Sequence, residues 1–594
     1  MEHLQIGHYS WQRIYQLVLR HKKRLIQANI IAFFAMLVTV PLPLLLPLLV
    51  DEVLLAQPGK VVALINSFTP ENWQTAVGYI AIVTVITIIL RFMGIVLGVW
   101  QVQQFTMISK QVSHGIRTDL LSRIKGVSMC RYEKMGTGSV TATMVNDVNT
   151  IDSFLGTTVS KAIIAVITLI GVSVVLLWLH WQLALFILLL NPLVVFFTVK
   201  MGQKVRTLKR DENTAVDAFQ QSLSETLDAL QQVRTSSQEN RFFGYIEQKS
   251  ADIKTHSEAF TWKSDAASRI SFFIFLVGFD IFRGVSMLMV VFSGLSIGEM
   301  MAVLGYLWFM MGPIQEILAI QYSYSAGSGA MERINSVLDL EQEPVYPLKG
   351  QNPFEDDKVK LEVKDLFFTY PNKEKPVLHN LSFSMQAGEK LAFVGASGGG
   401  KTTLVQLLLG FYQAESGSIL YNDKPIEEIG QALVRKHVAT VLQHPVMFHQ
   451  SIRFNLTMGE EMTDEQLWQA LDMAQLTSAI KELDEQLDSV VGRNGIKLSG
   501  GQRQRLAIAR MILQDPKIVI MDEATSALDM ETERKFYEDL EPFLKDRTTL
   551  IVAHRLSSIK QADRILVFED GHIIESGSHD DLLQAGGTYQ RLYK

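Results

Sequence analysis

Residues Phe393 to Gly410 read FVGASGGGKTTLVQLLLG, and this stretch decides the fold of the C-terminal half of the chain. An apolar strand, a glycine-rich loop and the start of a helix follow one another. The core Gly395-x-x-x-x-Gly400-Lys401-Thr402 fits the P-loop pattern, whose backbone N–H groups cradle phosphates while its lysine reaches the β- and γ-phosphates and its threonine holds Mg²⁺. The helix N-terminus behind the loop favours an anion. We therefore expect nucleoside triphosphate binding at Gly395, Ala396, Ser397, Gly398, Gly399, Gly400, Lys401, Thr402 and Thr403.

A second motif, KIVIMDEATSALD, runs from Lys517 to Asp529. Its four apolar residues Ile518 to Met521 predict a buried strand, with Asp522 and Glu523 at the end of that strand. An aspartate in this position holds Mg²⁺ through water. The glutamate that follows is placed to polarise an attacking water as a general base. The two motifs together predict an α/β P-loop ATPase domain.

Composition divides the chain of 594 residues into two parts. Apolar residues make up 48% and charged residues 20%, but about the first 330 residues carry several long apolar runs, whereas the remainder resembles a soluble domain. The net charge of −6 includes no basic stripe, which argues against a nucleic-acid partner. The single cysteine, Cys130, excludes an intrachain disulfide and a cysteine-based metal cluster.

The N-terminal part predicts an α-helical membrane domain of six transmembrane helices with long cytoplasmic extensions. A bilayer core requires ~20 mostly apolar residues per helix. Six runs meet this requirement, although the fourth is short and contains Asn191 and Pro192. These runs are Ile26–Val50, Ala76–Trp100, Val159–Leu179, Leu183–Val199, Ile270–Phe292 and Met300–Ile320.

Basic residues predict the orientation of this domain. The long connections 101–158 and 200–269 are rich in Lys and Arg, and the short connections contain almost none. By the positive-inside rule, the long connections, both termini and the C-terminal domain are cytoplasmic. The opening HYSWQRIYQLVLRHKKRL predicts an amphipathic helix on the cytoplasmic face, with its basic cluster on anionic lipid.

One predicted membrane helix contains two charges, in the sequence GFDIFRG. Asp280 and Arg283 are three residues apart, so they share a helix face and can pair. A charge at this depth costs at least ~2.5–3.5 kcal/mol and generally faces the bundle interior or a water-filled cavity. We expect the pair to line a substrate cavity with Gln315 and Glu316. The alternative is an ion pair that only neutralises itself.

Between the two nucleotide motifs lies LSGGQRQRLAIAR, from Leu498 to Arg510, and here the chain resembles the ATP-binding cassette (ABC) transporters. Leu498-Ser499-Gly500-Gly501-Gln502 matches the signature of that family. Ser499 and the bare amides of Gly500 and Gly501 begin a predicted helix and so form a second anion site. The resemblance implies that this site caps the γ-phosphate of ATP bound to the P-loop of a second cassette.

The resemblance also assigns roles outside the signature. Tyr370 matches the aromatic residue that stacks on adenine, and Gln443 matches the glutamine that contacts Mg²⁺ and the attacking water. Ser526 to Asp529 match the D-loop, and His554 matches the switch histidine that contacts the γ-phosphate. ATP and Mg²⁺ are thus the implied ligands. The implied catalytic residues are Glu523, His554 and Gln443, and the implied metal-binding residues are Thr402, Gln443 and Asp522.

The resemblance covers essentially the whole chain, because residues 131–151 and 233–246 resemble the two coupling loops of the exporter branch. Three positions depart from the family pattern. Gly399 stands where serine is common, Arg493 where glutamate is usual, and Thr143 where arginine is common. The Arg493 departure implies an altered contact with a coupling loop.

The predicted organisation is an N-terminal elbow helix (1–25), a transmembrane domain (26–325), a linker (326–358) and an ATP-binding cassette (359–594). This is the arrangement of a half-transporter that works as a homodimer in a bacterial inner membrane. We expect ATP-driven export or flipping of an amphipathic drug, lipid or peptide by alternating access. The alternatives are an importer of a siderophore-like ligand and an ATP-regulated channel or sensor, which ATPase turnover distinguishes from a transporter.

Overall fold

Two units with different secondary structure make up the chain. The computed structural model describes residues 7–55, 59–371, 373–396, 398–443, 445–492, 495–525, 530–553 and 555–593. The first unit comprises Met1–Ser122 and Gly138–Asp339, and the second comprises Arg123–Thr137 and Leu340–Lys594. The short segment Arg123–Thr137 therefore packs with the C-terminal residues, although it lies between membrane helices in the sequence.

Helices form the first unit. Ser10 caps the first of them, since its hydroxyl accepts a hydrogen bond from the Arg13 amide at 3.2 Å. The α-helices are Trp11–Leu19, Lys22–Thr39, Leu45–Pro47, Lys60–Phe68, Ala76–Ile124, Thr137–Ala142, Val148–Ser153, Val159–Asp228, Leu230–Thr235, Glu239–Phe292 and Ile297–Leu338. Helix Met129–Met135 belongs to the second unit. The π-helical segments are Leu48–Leu54, Thr143–Asp147 and Phe154–Thr158, and the 3₁₀ turns are Leu42–Leu44 and Glu71–Trp73.

Five helical stretches among the described residues are long and apolar enough to cross a membrane. They are Lys22–Leu54, Ala76–Ile124, Thr137–Ile187, Glu239–Phe292 and Ile297–Leu338. The third and fourth predicted spans lie in one helical run, Val159–Asp228, which is interrupted at His180 by a non-helical φ of −158° and ψ of 99°. The chain is thus an integral membrane protein.

The core of the first unit joins several spans. Val172, Phe282 and Tyr306 are fully buried in one cluster. The Tyr306 hydroxyl donates to the Val40 carbonyl at 2.7 Å, which satisfies its polar atom inside this cluster. Thr143, one of the departures from the family pattern, is also buried.

Two sheets organise the second unit. One has the order β2-β1-β4-β5 and is antiparallel; the other has the order β10-β9-β3-β8-β7-β6 and is parallel except for β10. The strands are β1 (Leu361–Phe368), β2 (Leu378–Met385), β3 (Lys390–Gly395), β4 (Ser416–Tyr421), β5 (Lys424–Pro425), β6 (Val438–Val441), β7 (Ile518–Asp522), β8 (Thr548–Val552), β9 (Arg564–Glu569) and β10 (His572–Gly577).

Helices pack around these sheets. The strands β3, β7 and β8 are buried along their whole length, as continuous apolar runs in a parallel sheet require. The helices are Lys401–Leu408, Ile426–Ile429, Gln431–His437, Ile452–Thr457, Asp464–Met473, Thr477–Lys481, Gly500–Leu513, Met530–Leu544, Leu556–Ile559, His579–Ala585 and Thr588–Tyr593, with a 3₁₀ turn at Gln486–Asp488. Ligands in such sheets bind beyond the carboxyl ends of the strands.

Candidate active site

The loop between β3 and helix Lys401–Leu408 depends on glycine. Gly398 and Gly400 have φ values of 85° and 105°, in the left-handed region that other residues rarely adopt. A Cβ atom on Gly395 would lie 2.0 Å from the Phe568 carbonyl oxygen, so that strand end tolerates no side chain. A Cβ atom on Gly399 would make only an ordinary contact, at 3.4 Å from the Ala396 carbonyl. Glycine in place of serine at position 399 is therefore sterically mild.

Lys401 points back across this loop. Its ammonium group donates to the carbonyl oxygens of Gly395 at 2.8 Å and Ala396 at 2.9 Å. Burial lowers the pKa of Lys401, while the carboxylates of Glu523 and Asp522 act in the opposite direction. The lysine is thus held at the phosphate-binding loop and close to two acidic groups.

Asp522 and Glu523 end β7 beside the loop. The Thr402 hydroxyl lies 3.4 Å from Asp522 Oδ2, and the Gln443 amide donates to Glu523 Oε2 at 2.7 Å. Burial is the main cause that raises the pKa of Asp522, and the negative charge of the neighbouring Glu523 raises it further. Glu523 has a φ of 50°, a left-handed conformation that costs energy in a non-glycine residue and often marks a functional site.

The backbone topology explains why these side chains meet. β3, β8, β7 and β6 are adjacent and parallel, so the P-loop after β3, Asp522 at the end of β7 and Gln443 after β6 share one edge of the sheet. A cavity of about 720 Å³ opens there. Its lining is Glu133, Tyr370, Lys373, Val377, Gly398, Gly400, Lys401, Thr402, Thr403, Gln443, Asp522, Glu523 and Val552.

The donors in this cavity suit a magnesium ion. Mg²⁺ takes oxygen ligands and is generally held by one or two carboxylates together with substrate phosphates rather than by an all-protein cage. The Thr402 hydroxyl, the Gln443 amide oxygen and the Asp522 carboxylate supply such oxygens on one side of the cavity. These residues could hold the ion next to bound triphosphate.

Tyr370 forms the aromatic side of the cavity. Its hydroxyl lies 2.9 Å from the Thr403 hydroxyl and donates to Gln406 at 3.0 Å. Its ring meets that of Tyr412 edge to face at 5.4 Å, and the Lys373 ammonium lies 5.6 Å from its centroid. The ring is thereby fixed at the mouth of the phosphate loop, where a base could stack on it.

The signature residues begin a helix elsewhere in the same unit. Helix Gly500–Leu513 has Ser499 as its N-cap. The Ser499 hydroxyl accepts from the Gln502 amide at 3.2 Å, and Gln502 Oε1 accepts from the Ser499 amide at 2.7 Å. This reciprocal capping box explains the types and spacing of the two polar residues. None of the four residues Ser499 to Gln502 lines the phosphate cavity.

Several predicted residues lie outside the described residues. These are Ser397 of the P-loop, Asp529 of the D-loop, His554 and Arg493. Their predicted roles remain predictions.

Sequence reasoning missed a contact between the first coupling segment and the nucleotide cavity. The Tyr412 hydroxyl donates to Glu133 Oε2 at 2.8 Å, and Glu133 itself lines the cavity. Burial and the Glu133 carboxylate raise the pKa of Tyr412. Since Tyr412 also packs on Tyr370, the segment Arg123–Thr137 is connected to the aromatic side of the cavity through two side chains.

A buried carboxylate behind the site was also missed. Glu533 is fully buried and accepts hydrogen bonds from Thr525 at 2.6 Å, Ser557 at 2.7 Å and Ser558 at 2.7 Å. Thr525 follows Glu523 closely in sequence, and Ser557 follows the β8 strand. Glu533 therefore joins the segment that follows β7 to helix Leu556–Ile559, which follows β8. The sequence METERKF around it gives no sign of burial.

The four residues predicted for a substrate cavity form two separate groups in the first unit. Arg283 Nη2 lies 3.0 Å from Asp280 Oδ1, and both side chains are about half exposed. Glu316 pairs instead with Lys161 at 3.1 Å. No hydrogen bond or ion pair among the described residues joins these two pairs, and Gln315 is exposed. The structure thus contains the predicted Asp280–Arg283 pair without a direct link to helix Ile297–Leu338.

Known families and structures match both halves of the chain. The family model described as ABC transporter matches residues 378–526, and the one described as ABC transporter transmembrane region matches residues 42–314. An ATP-dependent lipid A-core flippase of Burkholderia orbicola is 31% identical over 82% of this chain and 82% of its own length. A Staphylococcus aureus protein named as a multidrug export ATP-binding/permease protein is 32% identical over 82% of this chain and 84% of its own.

A solved structure shares the fold. It is a bacterial Atm1-family ABC exporter with ATP bound, and it aligns with a TM-score of 0.81 at 24% identity over 96% of this chain and 98% of its own. The matches therefore extend through the transmembrane helices and the nucleotide cavity alike. The chain belongs to the ABC transporter family, with one transmembrane region and one ATP-binding cassette in the exporter-type, half-transporter arrangement.

Proposed function

We propose that the protein is an ATP-driven exporter that hydrolyses ATP as a homodimer in a bacterial inner membrane. The observation that carries the proposal is the position of Glu523, which meets the P-loop lysine, Asp522 and Gln443 in one cavity on a chain that also spans the membrane. The relatives named as a lipid flippase and a multidrug export protein support export. The coupling segments, both termini and the cassette are cytoplasmic in this proposal.

Each side chain in the cavity has a proposed task. Lys401 neutralises the β- and γ-phosphates, and Tyr370 stacks on adenine. Thr402, Gln443 and Asp522 hold Mg²⁺, which, when bound, offsets the charge that develops on the phosphates. Glu523 orients the attacking water and takes its proton. The hydrogen bond from Gln443 to Glu523 keeps that carboxylate directed into the cavity.

The position of the signature helix supports a dimer. Ser499 and the first amides of helix Gly500–Leu513 form an anion site, but they do not line the phosphate cavity of their own chain. A second copy can place this helix end over the γ-phosphate. Two identical chains would then enclose two ATP molecules, and both sites would contain Glu523.

The ion pair in the fifth predicted span supports an amphipathic substrate. Asp280 and Arg283 are about half exposed, whereas Phe275 and Phe282 of the same helix are buried in the core cluster. A half-exposed ion pair at this depth is costly toward lipid, so we propose that it faces a cavity shared with the second copy. Nearby, Phe279 packs on the half-exposed Trp308 with ring centroids 5.5 Å apart. Such a wall suits a ligand with a polar group and an apolar body.

Neutralising this pair tests its role. Asp280→Asn combined with Arg283→Gln should lower substrate-stimulated ATPase and transport by about tenfold, because charge-assisted contacts are lost, while ATP hydrolysis without substrate persists. The matched control is Asp265→Asn with Arg269→Gln, an ion pair of 2.7 Å on the same helix but before the predicted span. Unchanged transport in the first variant, or equal loss in both, would contradict a substrate-facing pair.

Removing the P-loop lysine tests ATP binding itself. Lys401→Ala should weaken ATP affinity by roughly tenfold, since it removes a charge-assisted contact with phosphate. Lys436→Ala, which changes an exposed lysine of helix Gln431–His437, serves as the control. Equilibrium binding of a fluorescent ATP analogue to purified protein measures both. Equal affinity of the two variants would place the phosphates elsewhere.

The direction of transport can be measured with protein reconstituted into liposomes. In liposomes with the cassettes facing outward, an exporter accumulates a fluorescent lipid or drug inside when ATP is added, whereas an importer depletes it. A channel or sensor passes substrate with a non-hydrolysable ATP analogue, and a transporter does not. Accumulation that requires hydrolysis supports the proposal; depletion, or passage without hydrolysis, overturns it.

A further inference from the structure

A second cavity lies in the first unit, apart from the ATP site. It has a volume of about 650 Å³ and lies between residues 9–21, which include helix Trp11–Leu19, and the part of helix Ala76–Ile124 beyond Trp100. This volume falls within the ~300–1,000 Å³ that small-molecule sites occupy. Both walls belong to the same unit. The cavity is next to the start of the first membrane span.

One wall of the cavity carries a concentrated positive charge. From Tyr9 to Arg24 the sequence contains Arg13, Arg20, Lys22, Lys23 and Arg24 and no acidic residue. Arg13 and Arg20 line the cavity itself, whereas Lys22, Lys23 and Arg24 do not. Only two of the five cations therefore line the cavity.

The opposite wall leaves this charge incompletely balanced. Asp119 is the single acidic residue in the lining. It accepts a hydrogen bond from the Tyr9 hydroxyl at 2.7 Å and lies 3.6 Å from Arg13 Nη2. No carboxylate among the described residues pairs with Arg20. The remaining polar residues of the lining are Gln16, His21 and Gln111, and each can donate a hydrogen bond to an anion.

The floor of the cavity has room for a ligand. Gly115 belongs to the lining, and a Cβ atom placed on it would meet nothing within 4 Å. A side chain can therefore begin at this position without a clash at its Cβ atom. A substitution here changes the shape of the cavity without changing its charge.

An apolar stripe continues from the cationic turn. Ile26, Ile30, Phe33, Phe34 and Leu37 are each about half exposed on helix Lys22–Thr39. Their spacing of four, three, one and three residues places them on one helix face. Acyl chains attached to an anion in the cavity could lie along this face. A free phosphate ion has no apolar part that could contact these side chains.

We propose that this cavity binds the phosphate headgroup of an anionic phospholipid, with Arg20 and Arg13 as its cations and the Ile26–Leu37 stripe as the contact for its acyl chains. Basic clusters beside a membrane helix attract anionic lipid in general. The cavity makes the cations of this cluster unequal, because a lipid headgroup bound in it contacts Arg20 but not Lys23. The site extends the proposed transport function and does not depend on it.

Matched variants test the proposal. Native mass spectrometry of the purified protein, titrated with phosphatidylglycerol, gives the apparent Kd of the tightest bound lipid. Arg20→Gln should weaken this binding about tenfold, the loss of one charge-assisted contact. Gly115→Leu should have a similar effect by filling the space. Lys23→Gln, which removes the same charge outside the cavity, should change the Kd by less than about twofold.

The outcomes are distinguishable. Equal weakening by Arg20→Gln and Lys23→Gln would show a diffuse basic surface and overturn the site. Equally tight phosphatidylcholine binding would overturn anion recognition. Displacement of phosphatidylglycerol by millimolar inorganic phosphate would identify a free anion rather than a lipid as the ligand. An unfolding temperature equal to that of the unmodified protein in phosphatidylcholine shows that each variant is folded.

Discussion

Glu523→Gln is expected to lower the rate of ATP hydrolysis by roughly 10²–10⁴-fold, the usual cost of removing a general base. The amide keeps the shape of the carboxylate and a hydrogen bond with Gln443, but it cannot take a proton from water. ATP affinity should therefore change little. Phosphate release and equilibrium ATP binding, measured on the same purified sample, separate the two effects.

The control for this variant is Glu538→Gln. Glu538 is an exposed carboxylate of helix Met530–Leu544 that pairs only loosely with Arg534 at 3.7 Å. It should hydrolyse ATP at the rate of the unmodified protein. In the proposed dimer, hydrolysis lets the two cassettes separate, so the Glu523 variant should also retain ATP through gel filtration as a closed dimer. Turnover near the normal rate would refute our assignment of the base.

The parts of the site that the sequence predicted depend on residues close together in the chain. The apolar run Ile518 to Met521 became β7, and the signature helix begins at Gly500 directly after Ser499. Strand burial and helix starts are local properties, so motifs a few residues long specify them. The capping box of Ser499 and Gln502 also depends only on nearby residues, because the pattern S-x-x-Q is sufficient to form it.

The parts that were missed depend on distant residues. Tyr412 and Glu133 are 279 positions apart, and no local pattern indicates that they meet. Glu533 lies on a helix rich in acidic and basic residues, where a solvated side chain is the usual outcome, yet three hydroxyl groups from two other segments of the chain donate to it. Each of these features follows from packing that the complete fold determines.

Ser499→Arg is expected to reduce ATP hydrolysis about 10²-fold while each chain still binds ATP. Arginine cannot accept the hydrogen bond from the Gln502 amide, which costs ~1 kcal/mol as a lost N-cap. In the proposed dimer, its long side chain would also overfill the space between the two cassettes, at a further cost of ~1–3 kcal/mol. Ser499→Ala loses the cap without overfilling the gap, so its ATPase rate should fall by about tenfold or less.

A mixed dimer decides whether the signature acts on its own chain or on its partner. One chain carries Ser499→Arg and the other Lys401→Ala, and two different affinity tags isolate the mixed species. If the signature of one chain closes the P-loop of the other, one site keeps Lys401 and Ser499 intact while the second carries both changes. The mixed dimer should then hydrolyse ATP faster than either variant homodimer. If each signature served its own P-loop, both sites would be damaged, and a mixed dimer no more active than the homodimers would rule out the shared site.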